Sequence, residues 1–241
     1  MRFLRVFVII AVVLGGLFVG VDRWAASYVE NRLADRIQAR QGLAGSSEVE
    51  VHGFPFLTQV LSRDLDQVDL KLRGVEVTAE DRKTRLSELN ASFHGVKLNG
   101  DYSGGTAERA EGSALITYAD LTAASQTGAT LSYGGAPGKV KVTATVDILG
   151  KTLTHSVVST VTLEDAPGGK GGKGGKIVRV RADEVPGAGV PGVEKQIRKR
   201  TDFDRNLDSG MPAGLQLSSL TSDEAGVHLV LGGSNVVVAG S

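Results

Sequence analysis

The chain contains no cysteine in its 241 residues. Thiol catalysis, cysteine-ligated zinc, disulfides and lipid attachment through an N-terminal cysteine are therefore excluded. Any tether to a membrane has to be made of polypeptide. Aromatic residues are scarce: one tryptophan, four tyrosines and seven phenylalanines. There is no excess of either charge, lysine plus arginine matching aspartate plus glutamate at 27 each. That balance argues against nucleic acid as a partner, because its phosphates attract a basic surplus. The histidines His52, His94, His155 and His228 are scattered, with no two at metal-ligand spacing on one element. They read as hydrogen-bonded structural residues, and no metal is expected. A Gly-x-Ser-x-Gly elbow is missing. Gly150-Lys151-Thr152 supplies the second half of a phosphate loop, but Thr145 stands where the first glycine is needed. Neither catalysis nor a cofactor is expected.

What is present begins with an apolar run from Val6 to Val21, preceded by Arg2 and Arg5 and closed by Asp22, Arg23 and Trp24. As a helix this run measures about 24 Å, short of a hydrocarbon core of about 30 Å. Counted from Phe3 to Trp24 it reaches about 33 Å, with Trp24 at the far interface. The arginines place the amino terminus in the cytoplasm. Residues 1–24 thus read as a single-pass anchor in the cytoplasmic membrane, with residues 25–241 as one domain on the extracytoplasmic side. A cleaved signal peptide is the alternative, but Asp22, Arg23 and Trp24 occupy the place of the small residues that cleavage requires.

Residues 25–41 continue as helix, with Tyr28, Val29, Leu33 and Ile37 near i, i+4 spacing and Gly42 as the stop. The densest apolar patch lies at residues 48–61. Val49 and Val51 alternate into Gly53, and Phe54, Phe56, Leu57, Val60 and Leu61 follow. Pro55 suits the first turn of a helix, which sets Phe56, Leu57, Val60 and Leu61 on one face. From residue 66 the period changes to 2. Val68, Leu70 and Leu72 lead to Gly74, after which Val75 and Val77 resume on the other parity, predicting a bulge. Asp64 and Asp66 flank a helix-to-strand turn.

Further strands are predicted over 89–98, 114–118, 129–133, 140–148, 153–163, 177–182, 215–220, 227–231 and 236–238, with helices over 120–125 and 191–203. Asp223 to Gly226 and Gly232 to Asn235 read as turns. Residues 167–176, a Gly/Lys run, read as a flexible hairpin loop. Arg198, Lys199 and Arg200 form a basic cluster suited to a phosphate headgroup. The pattern predicts α+β: an N-terminal transmembrane helix, then a curled, mainly antiparallel sheet wrapped around one or two helices.

Gly53-Phe54-Pro55-Phe56-Leu57-Thr58-Gln59-Val60-Leu61, followed by the alternation through Leu72, resembles a signature of the LmeA-type phospholipid-binding family of actinobacteria. The stretch from Glu108 to Leu121 is similar to that family's second recurring segment. The resemblance implies a tubular, TULIP-like domain with phospholipid as ligand and a role in envelope lipid handling or glycolipid assembly, beside assembly enzymes as partners. On that reading Phe54, Pro55, Phe56, Leu57, Val60 and Leu61, with Leu33 and Ile37, contact lipid. An envelope scaffold with a packed core and a lipid hydrolase are the competing readings.

The intact boundary at Asp22-Arg23-Trp24 predicts that full-length protein fractionates with membranes and keeps its amino terminus. Amino-terminal sequencing of the membrane and medium fractions checks this, and a mature chain starting near residue 25 in the medium would contradict it.

Overall fold

The computed structural model describes residues 2–41, 46–79, 82–125, 129–148, 151–165, 176–184, 198, 202–206 and 211–239. The anchor and the helix after it are one unbroken element, α1 (Arg2–Gln41), about 60 Å long at 1.5 Å per residue. It is long and apolar enough to cross a membrane, and little of it is buried against the rest of the protein. Its large apolar residues from Ile9 to Val21 are exposed, as a lipid-facing surface would be.

The domain then runs β1 (Ser47–His52), α2 (Phe56–Ser62), β2 (Asp64–Ala79), β3 (Arg82–Leu98), β4 (Gly104–Thr117), α3 (Tyr118–Ser125), β5 (Thr130–Tyr133), β6 (Lys139–Ile148), β7 (Lys151–Asp165), β8 (Lys176–Ala182), β9 (Phe203–Asn206), β10 (Leu215–Ser222) and β11 (Gly226–Ala239). Every strand pairing among the described residues is antiparallel. The α+β class with its N-terminal apolar helix is thus as expected. The strands divide, however, between two open sheets, ordered β1-β2-β3-β4-β11-β10 and β5-β6-β7-β8-β9.

Several boundaries differ from the sequence reading for identifiable reasons. No bulge forms at Gly74, because the pairing runs from Arg73↔Glu88 to Val75↔Leu86 without a slip. Gly74 instead takes φ +67, a conformation glycine adopts without penalty, and Leu72 and Val75 reach the same buried cluster. Asp64 and Asp66 lie within β2 rather than in a turn.

Gly232 to Asn235 is likewise no turn but the middle of β11, paired with β4 through Gly232↔Glu111 and Gly233↔Ala110. A Cβ on Gly233 would stand 2.0 Å from the Gly214 carbonyl oxygen, so glycine serves close chain approach here. Phe203, expected at a helix end, opens β9. Of the helix predicted over 191–203, only Arg198, Asp202 and Phe203 lie among the described residues. Most of the Gly/Lys run lies outside them too, but the strands it joins pair as a hairpin, Asp165 opposite Lys176.

Two apolar clusters hold the layers. One joins α1, α2 and the first four strands through Ala26, Val51, Phe56, Leu65, Val96 and Ala107. The other binds the two sheets together, with Val178 and Val180 of β8 meeting Leu217 of β10, and Val161, Leu163, Leu229 and Leu231 around them. Across the same seam the Ser222 hydroxyl donates to the Lys139 carbonyl at 3.0 Å. α3 also links the sheets, Asp120 accepting from the Ser87 hydroxyl of β3 at 2.9 Å and the Thr122 hydroxyl accepting from the Leu131 amide of β5 at 2.9 Å.

Leu217 is 1% exposed at that seam. Leu217→Ala is expected to cost about 2–5 kcal/mol of stability. Leu61→Ala, at a side chain 79% exposed, is expected to change stability by no more than about 0.5 kcal/mol. Denaturant unfolding of both variants measures the contrast.

Candidate functional site

The apolar patch at 54–61 meets α1, and the junction is built from both sides. Gly53 ends β1 at φ +105, where a Cβ would stand 2.2 Å from Gln59 Nε2 and 2.4 Å from Asp66 Oδ2. Only glycine fits there. The chain then turns through Phe54 to Pro55, the N-cap of α2, which is extended (φ −78, ψ 137) and has no side-chain oxygen to offer the helix. A helix start leaves amides without partners. Those of Phe56 and Leu57 donate to the two oxygens of Asp22, at 2.9 Å to Oδ2 and 2.8 Å to Oδ1. The cap of α2 is therefore a carboxylate from α1, 0% exposed, more than thirty residues away in the chain.

Arg23 completes the clasp. Its Nη2 donates to the Gly53 carbonyl at 2.7 Å and lies 3.5 Å from Asp22 Oδ2. Its guanidinium sits 5.5 Å from the Phe54 ring centroid. Further along, the Val51 amide donates to Glu30 Oε1 at 2.8 Å and the Ser47 hydroxyl to the Ala34 carbonyl at 2.8 Å. Asp22, Ala26, Glu30 and Ala34 recur every four residues, which sets them along one face of α1. That face lies on the edge strand β1, whose exposed backbone would otherwise invite pairing with another chain.

The sequence-predicted lipid residues separate into two groups. Phe56 is 3% exposed within the cluster that joins α1, α2 and the sheet, and Leu57 and Val60 pack partly against it. Phe54 and Leu61 point away from it, 55% and 79% exposed. Five residues of helix turn Leu61 about 140° from Phe56, so the two cannot share a buried face, and Gln59 takes the second buried position. Leu33 faces outward on α1 with Tyr28, Val29 and Arg32 along a groove of about 430 Å³. The side chain of Ile37 lies outside the described residues. Arg198 Nη1 donates to the Ala182 carbonyl at 3.3 Å and lies 3.6 Å from Asp202, while Lys199 and Arg200 fall outside the described residues.

Beside the junction, the pairing of β1 with β2 sets Glu50 opposite Asp69 and brings His52 Nε2 to 2.8 Å from Asp69 and 3.7 Å from Glu50. Sequence spacing hides this group because its members sit on two strands. Partial burial works against ionisation of Asp69. Hydrogen bonds from Ser92, Gln67 and His52 outweigh it and hold the carboxyl below its ordinary range.

The Asp22 cap also escaped the sequence reading. Its one signal was a carboxylate directly after an apolar run. Asp22→Ala strands the amides of Phe56 and Leu57 and is expected to cost about 1–2 kcal/mol. Hydrogen exchange should show the effect locally, with both amides losing protection while β6 and β7 keep theirs.

Neither the curated proteins nor the solved structures compared include a match to the chain. A family model does match, over residues 20–231, a span that includes Asp22 and both apolar clusters. The chain belongs to the LmeA-like phospholipid-binding family.

Proposed function

We propose that this protein is a membrane-anchored, extracytoplasmic phospholipid-binding protein that serves envelope lipid handling or glycolipid assembly, by binding and not by covalent chemistry. The observation that carries the proposal is the junction. A phospholipid-binding domain is clasped through Asp22 and Arg23 to α1 directly after the apolar run that is fit to cross a bilayer, so it stands where phospholipid is supplied. A two-chain lipid has about 30 methylenes, each costing about 0.8 kcal/mol to expose to water. A binder placed at the bilayer surface shortens the path over which those chains are wet.

The accessible apolar groups beside the clasp, Phe54, Leu57, Val60 and Leu61, are the acyl contacts in this reading, with Phe56 holding α2 in place beneath them. Enzymes of envelope glycolipid assembly are the partners it implies. A scaffold with a packed core is the second reading, favoured by the enclosure of Phe56 and by Ala107 at 0% exposure.

Native mass spectrometry of the full chain released from nanodiscs separates the two. Retained phospholipid is expected, and Leu57→Gln should lower retention while unfolding stays cooperative. Phe56→Gln should instead destabilise the fold by about 3 kcal/mol or more. A parent protein that carries no phospholipid would leave the scaffold reading in place.

A further inference from the structure

Three large exposed side chains gather at the end of the domain where α1 enters it. Phe54 precedes α2, Leu61 lies in its last turn, and Tyr102, 51% exposed, sits in the turn between β3 and β4. The end of α2 and the β3–β4 turn that carry two of them are joined by hydrogen bonds. The Tyr102 hydroxyl donates to the Val60 carbonyl at 3.3 Å, and the Leu98 amide donates to the Arg63 carbonyl at 2.8 Å, tying the β3 end to the end of α2. Two cations lie against the rings, Arg23 over Phe54 and Arg63 over Tyr102, each 5.5 Å from the centroid. The nearby Asp101 is turned to its own loop, accepting from the Ser103 amide and hydroxyl at 3.1 and 2.8 Å.

The position of this patch along the membrane normal is set by α1. Asp22 holds the first amides of α2, and Val21, the last residue of the apolar run, precedes it by one position, about 1.5 Å of helix rise. α2 therefore starts at the edge of the hydrocarbon, and its exposed neighbours cannot stand far above it. Aromatic rings and arginines at that depth match the boundary between headgroups and acyl chains.

We infer that the patch formed by Phe54, Leu61 and Tyr102 docks into the headgroup layer of the membrane that α1 spans, with Arg23 and Arg63 against lipid phosphates. The domain is then held on the bilayer by a second contact besides its anchor, and its end cannot swing free. The inference rests on α1 spanning a bilayer; it does not require that a lipid be carried within the fold.

Trp24 is the only tryptophan, so a Trp24→Phe background makes single reporters simple to build. Phe54→Trp, Leu61→Trp and Tyr102→Trp in the full chain are compared in nanodiscs containing phospholipid brominated on the upper acyl chain. Val230→Trp is the reference for water, an exposed site on β11 nine residues, about 30 Å along the strand, from Ala239, which pairs with Gly104 beside the Tyr102 turn. Phe18→Trp reports on α1 itself. The three patch reporters should lose most of their emission to the brominated lipid and resist aqueous iodide, while the reporter at 230 does the reverse. Patch reporters that behave like the one at 230, with the reporter at 18 quenched, would overturn the docking and leave the anchor intact. A reporter at 18 that brominated lipid does not quench would overturn both.

Discussion

The Asp22 carboxylate is sealed from solvent between α1 and α2, where two backbone amides and Arg23 surround it. A buried charge is tolerable only when it is fully hydrogen-bonded, so the arrangement constrains both partners. α1 cannot rotate or slide without stranding the charge, and α2 cannot leave without exposing its own unpaired amides. The rest of the junction follows in register. One turn on, Ala26 enters the apolar cluster, then Glu30 takes the Val51 amide, and the Ala34 carbonyl receives the Ser47 hydroxyl.

This stripe links a helix long and apolar enough to cross a membrane to the sheets without a break in the helix. Small side chains at 26 and 34 let α1 lie close to β1, and the carboxylates at 22 and 30 meet backbone donors that an edge strand and a helix start leave open. Phospholipid binding by the family acquires a place from this geometry. The apolar groups around α2 are set beside the end of the apolar run of α1.

The motif at 53–61 was the most legible part of the candidate site. Gly53, Pro55 and the spacing of Phe56, Leu57 and Val60 specified a strand end, a helix start and an inward face, and all three are present. Leu61 departs from that inward face, since a seven-residue helix has room for only a narrow buried face and Gln59 occupies part of it. On α1 the apolar residues Tyr28, Val29 and Leu33 drew attention, yet they are exposed. The docking face is instead made of acidic and small residues, which leave no apolar period to read. β4 begins ten residues earlier than its apolar pattern indicates for the same reason: Ala107 and Ala110, only 0% and 1% exposed, mark its inner face weakly.

The sequence by itself determined the elements whose cause is local. An uncharged apolar run makes a membrane-length helix wherever it sits, and the alternation from Val140 to Ile148 makes a strand, found as β6. Only the tertiary structure decided what those elements meet. Alternation states that a strand has a dry face but not which surface covers it, so the division into two sheets and the seam at Leu217 were not readable. Nor was the use of Asp22, since a carboxylate after an apolar run caps a helix start only if folding brings that start within hydrogen-bonding distance. That distance is a property of the packed chain, set by the register of α1 on β1 and by the turn at Gly53.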